Sequence, residues 1–227
     1  MLDPRLICHQ DVKTQAARLC LISVYAALSE HGDHLLASLV GNEPQQWKRY
    51  PEDDAIDLES GFQWFYHAHS PEDRCGSQEH GHIHLFARKP LWGRRMRSHP
   101  ERSFASLCGS PQQKPNTRHL LAISFDAKGL PLTIFTVNSW VTGDLMLSAP
   151  LTITLLDKMR LNTGFSHIDA VIESVATLCR DEIVELLGQR DQALRGSASD
   201  QKLADETLEI LSEIKVDLDS KLSAAFE

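Results

Sequence analysis

Between Phe62 and Arg88 two strings alternate apolar side chains with histidine: FQWFYHAH and, ten residues later, HGHIHLFAR. A period of two belongs to a half-buried strand, because successive side chains point to opposite faces of a sheet. Paired as antiparallel neighbours, the two strings gather Trp64, Tyr66 and Ala68 with Ile83, Leu85 and Ala87 on one apolar face. The same register places His67 and His69 opposite His80, His82 and His84 on the other, where directly opposed Cβ atoms lie about 4.5–5.5 Å apart. A chain with this pattern must build an antiparallel sheet with one greasy face and one face of imidazoles.

The remaining chain supplies partners for that sheet. Val12, Ala16, Leu19, Ile22 and Ala26 recur at helical spacing, and His31-Gly32-Asp33 predicts a break before a short piece ending at Val40. Residues 41–59, with Pro44, Pro51 and the acids Glu52, Asp53, Asp54, Asp57 and Glu59, read as exposed loop, and residues 89–118 as a long irregular excursion. HLLAISF, the turn Asp126-Ala127-Lys128-Gly129 and LTIFTVN form a second hairpin, Gly129 taking the positive φ the turn requires. A helix capped by Ser166 and running toward Arg190 buries Ile168, Val171, Ile172, Val175, Leu178, Ile183 and Leu186 on the sheet. Leu208, Leu211, Ile214, Leu218 and Leu222 read as a last amphipathic helix that folds back or pairs with a partner. The expected fold is α+β, an antiparallel sheet of at least four strands packed against helices. It divides into a helical N-terminal segment 1–48, a histidine-rich core 49–192 and an appended C-terminal helix 193–227 with the potential to form a homo-oligomer.

Composition narrows the function classes. No run of 18 apolar residues is present and MLDPRLICHQ lacks a basic leader, so neither a membrane span nor a secretory signal is expected. A net charge of −8 argues against nucleic acid, whose binding rests on clustered Lys and Arg. Five separated cysteines without a CxxC fit thiols in a reducing cytoplasm.

Five of the eleven histidines fall within residues 67–84. Imidazoles held together near their ordinary pKa of about 6.5 repel one another once protonated, and a bound cation removes that conflict. Neutral imidazole suits Fe, Zn, Cu and Ni, with about 2.0–2.1 Å to zinc. The proposed ligands are His67, His69, His82 and His84, with Glu79 or His80 as the acid or base beside them. Glu79 or a glutamate of the 52–59 stretch is also able to complete the shell. A mononuclear metalloenzyme follows as the leading reading. A closed shell of four histidines would instead make a structural or storage site, and a third reading is a non-catalytic metal-binding or assembly module using the C-terminal helix. Cys75, between the strings, is a further thiolate candidate, and Arg88, Lys89, Arg94, Arg95 and Arg97 form a basic run suited to a small anionic substrate.

Two resemblances bear on these residues. His80-Gly81-His82-Ile83-His84-Leu85-Phe86 resembles the histidine triad of nucleotide hydrolases and transferases, which implies attack of His82 on an α-phosphate. Gly81 stands where that family has an apolar residue, and the triad gives His67 and His69 no role. More broadly, Tyr50-Pro51-Glu52, Tyr66-His67-Ala68-His69, Glu79-His80-Gly81-His82-Ile83-His84, Asp126 to Pro131, Asn138-Ser139-Trp140-Val141-Thr142-Gly143 and Arg190-Asp191 resemble a bacterial family known only as a domain of unknown function. That resemblance covers roughly residues 49–192 and implies the same histidines without naming a reaction.

Overall fold

The computed structural model describes residues 4–41, 45–69, 78–108, 116–195 and 202–223. Its framework is a six-stranded antiparallel sheet in which every strand lies beside its sequence neighbour. The strands are Arg49–Ile56 (β1), Phe62–Ala68 (β2), Gly81–Arg88 (β3), Thr117–Phe125 (β4), Pro131–Val137 (β5) and Ile210–Lys215 (β6). The two histidine strings pair as β2 and β3 in the expected register, with Trp64 opposite Leu85, Tyr66 opposite Ile83 and His67 opposite His82. The β4–β5 hairpin turns at Gly129, whose φ of +77° is the left-handed conformation the turn needs. Asp126 Oδ1 accepts from the backbone N–H groups of Lys128 and Leu130, fixing that turn.

Helices cover the apolar face. Pro4–Glu30 (α1) ends where the sequence breaks at Gly32, and the short Ala37–Val40 (α2) follows. The helix expected from Ser166 to Arg190 is two helices, Ser166–Leu178 (α7) and Arg180–Ala193 (α8), joined at Cys179. Ser166 is the first helical residue and Phe165 holds the capping position without a side-chain bond, so the expected serine cap is not made. Leu21, Val24 and Leu28 of α1, Val171, Ile172 and Val175 of α7, and Leu186 and Leu187 of α8 bury against Trp64, Tyr66, Ile83, Leu85, Leu121, Ile123 and Ile134 of the sheet. At about 1.5–3 kcal/mol for each fully buried large apolar side chain, this layer dominates the stability of the fold.

Three expectations are corrected. The stretch 49–56 is an edge strand, although only Ala55 in it is buried. The excursion 89–118 contains the helices Lys89–Trp92 (α3) and His99–Cys108 (α4). Residues 208–222 do not form one helix: Ile210–Lys215 is β6, Ile214 pairing with Ile134 of β5, and only Leu218–Ser223 (α9) is helical. The short helices Ser139–Thr142 (α5) and Ala149–Leu156 (α6) connect β5 to α7. None of the described helices is long and apolar enough to cross a membrane.

Candidate metal centre

The sheet's second face is built where β2 and β3 pair. Because Trp64, Tyr66, Ile83 and Leu85 are committed to the core, alternation turns Phe65, His67, His82, His84 and Phe86 to the other side. Phe65 and Phe86 stack 5.6 Å apart, and Phe135 of β5 stands edge-on to His82 at 4.9 Å. These rings wall a nearly dry site: His82 is 3% exposed and His84 1%.

Within it, His67, His69 and His82 each offer a ligating nitrogen, all lying within 4.8 Å of one another, so this trio could hold a metal ion. His82 is the hub. Its Nε2 lies 2.6 Å from His67 Nε2 and 2.9 Å from His84 Nε2. Its Nδ1 lies 2.7 Å from Glu79 Oε1 and 3.2 Å from His69 Nε2. Behind His84, Nδ1 meets His119 Nε2 at 3.1 Å. A ring nitrogen has a single hydrogen or lone pair in the ring plane, yet each nitrogen of His82 is approached by two polar groups. A hydrogen bond at His82 Nε2 pairs it with one of its two neighbouring nitrogens, whereas a cation among the three Nε2 atoms would take all three lone pairs.

Burial keeps the inner rings neutral, the state in which imidazole ligates. Burial, followed by the neighbouring His119, His67, Arg49 and His69, holds His84 well below the ordinary histidine pKa. Burial and the Arg190 guanidinium bring His119 down to about 3.

Of the six residues singled out in the sequence, His67, His69, His82, His84 and Glu79 meet here, and His80 does not. Gly81 accounts for the exception. A Cβ at Gly81 would collide with the His67 carbonyl and the Tyr66 hydroxyl, so the Tyr66 side chain occupies the space beside this glycine. The Tyr66 hydroxyl reaches His80 Nδ1 at 2.6 Å, on the core side of the sheet. The alternation of the triad-like string is therefore broken at its first member. Arg88 lies six residues along β3 from His82, about 20 Å at strand spacing, so the basic run begins away from the His82 hub. Cys75 falls outside the described residues.

Two neighbours lie outside those six residues: His119, which the sequence marks only as a histidine opening a strand, and Trp47, which it passes over. His119 enters through a register shift in the β3–β4 ladder after Leu85, which sets it opposite Phe86; alternation counted along β4 does not reveal such a shift. Trp47 stands edge-on to His67 at 5.9 Å and to His69 at 5.0 Å, with φ of +61° and 62% exposure. A lone aromatic in a polar stretch was its signal. Asn138 and Trp140, by contrast, are structural: Asn138 Nδ2 donates to the carbonyls of Lys202 and Leu208, and Trp140 Nε1 to that of Leu208, tying the chain ahead of β6 to the end of β5.

Neither a curated protein nor a solved structure matches the chain. A family model does, over residues 14–216, taking in α1 and β6 as well as the 49–192 core. The chain thus belongs to the family described as a domain of unknown function, DUF6969.

Proposed function

We propose that this protein binds a transition-metal ion, Fe, Zn, Cu or Ni, on the histidine face of its sheet and works as a metal-dependent enzyme of the cytoplasm. The observation that carries the reading is the convergence of three Nε2 atoms, those of His67, His82 and His84, in a buried site. His67 Nε2 and His84 Nε2 lie 2.6 and 2.9 Å from His82 Nε2, and an ion held at 2.0–2.1 Å in a tetrahedral shell would spread such pairs to about 3.3 Å. Glu79 Oε1 accepts a hydrogen bond from His82 in its Nδ1–H tautomer, which leaves Nε2 free to ligate, the usual carboxylate–histidine support of a metal site. His69 approaches the opposite nitrogen of His82, so as a fourth ligand it stands apart from this trio. A bound ion would polarise a substrate or activate water or oxygen. Glu79 serves as the acid or base, His80 being engaged by Tyr66.

The test is elemental analysis of protein made without a histidine tag. The expected content is about one ion per chain, lost in His82→Ala. A content below about 0.2 that does not rise on adding metal overturns the reading.

A further inference from the structure

His82 has two ring edges, and both carry metal donors. The Nε2 edge faces His67 and His84, as described. On the Nδ1 edge, Glu79 Oε1 and His69 Nε2 lie 2.7 and 3.2 Å from His82 Nδ1, and 3.9 Å from each other. Two ligands at 2.0–2.1 Å in a tetrahedral shell are about 3.3 Å apart, and these three separations straddle that value. The side chains are desolvated, His69 and His82 at 4% exposure and Glu79 at 5%.

We propose that the centre accepts a second metal ion, held by His82 Nδ1, His69 Nε2 and Glu79 Oε1, with the His82 ring bridging the two ions as an imidazolate. The inference rests on the preceding reading for the first ion. Neutral His82 carries one N–H, and bridging uses the lone pairs of both nitrogens, so the Nδ1 proton leaves to solvent as the second ion enters. Glu79 then changes from hydrogen-bond acceptor to ligand. The ring and the carboxylate each contribute one negative charge against the two cations, which makes the dication pair tolerable in a buried site. A set of two nitrogens and one oxygen suits Zn²⁺ or Cu²⁺.

The test uses the full untagged chain, stripped by chelator and titrated with Cu²⁺, followed by bound copper and by electron paramagnetic resonance. The expected result is uptake of about two ions per chain. The spin signal should grow with the first ion and fall with the second, because an imidazolate bridge couples two Cu²⁺ ions antiferromagnetically. Glu79→Gln and, separately, His69→Ala should weaken the second ion by at least about tenfold more than the first. Saturation at one ion, two ions with additive signals, or unchanged coupling in Glu79→Gln each overturns the bridge and leaves the single-ion reading standing. A wild-type chain that takes up no copper overturns both.

Discussion

Replacing Gly81 by alanine puts a methyl group against the His67 carbonyl and the Tyr66 side chain, 2.6 Å from Tyr66 Cζ. Tyr66 is fully buried in the core. The His67 carbonyl is backbone at the point where β2 and β3 pair, so relief requires the strands themselves to part. Overpacking of this kind costs about 1–3 kcal/mol. Displacing the Tyr66 hydroxyl from His80 adds about 0.5–1.5 kcal/mol. The expected loss is about 2–4 kcal/mol. With a urea slope of about 2–3 kcal/mol per molar, the unfolding midpoint falls by about 1 M. Measurement on metal-free protein by tryptophan fluorescence keeps ligand linkage out of the result. Because the same shift moves His67 relative to His82, metal affinity should also fall at least about tenfold, or 1.4 kcal/mol. The control is Tyr66→Phe with Gly81→Ala. If the backbone carbonyl is the obstacle, removing the hydroxyl does not restore stability. A midpoint unchanged in the single variant, or full rescue in the double, refutes the reasoning.

Other consequences are checked the same way. Buried Asp169 accepts from Trp64 Nε1 at 2.9 Å and from Thr163 N at 2.8 Å, so Asp169→Ala, which leaves the indole N–H without its acceptor, should cost about 3 kcal/mol in urea unfolding; a loss under about 1 kcal/mol would show that the bond is dispensable. Burial alone would raise the Asp57 carboxyl, but hydrogen bonds from Ser60, Glu59 and Asn162 outweigh it and hold the carboxyl below its ordinary range. Its contribution is complete above the unfolded carboxylate pKa of about 3.9 and is lost as pH falls through the lower folded value. Asp57→Asn should therefore flatten the acid limb of a stability–pH profile, and an unchanged limb would assign acid sensitivity elsewhere. His80→Ala should leave metal content unchanged, whereas His82→Ala abolishes it; equal losses would contradict the division of the two histidines between faces. Free zinc at about 100 times its dissociation constant should add about 2.7 kcal/mol to wild-type stability, and an unmoved thermal midpoint would count against a folded-state site.

The centre was legible where side-chain alternation and burial agree. In β2 and β3 the apolar set fixes which face is core, and His67, His69, His82 and His84 follow by parity. Parity misplaced His80 because glycine at position 81 lets Tyr66 reach around the strand end. β1 escaped notice because an edge strand with Pro51, Glu52, Asp53 and Asp54 buries almost nothing and so carries no apolar alternation. β6 was misread because Leu208, Leu211, Ile214, Leu218 and Leu222 satisfy a helical period, while the shorter run Ile210, Ser212, Ile214 satisfies a strand period equally well. Hydrogen bonding to β5 decides between the two, and a single sequence does not contain that partner's position. α4 lay hidden in a stretch punctuated by Pro100 and Gly109, with Pro100 falling in its first turn, where proline is tolerated.

β6 also sets an order of events for a chain emerging from the ribosome. Strands β1 to β5 are complete by Val137, but Thr136 Oγ1 meets Ser212 Oγ across 76 positions, with α6, α7 and α8 synthesised in between. Until that late segment is made, β5 presents an open edge with Ile134 and Phe135 beside it, a template for any other extended chain. The nascent protein thus has a window in which the helices must dock and the last strand must arrive before a neighbour does. Truncation ahead of Ile210 would hold that window open permanently.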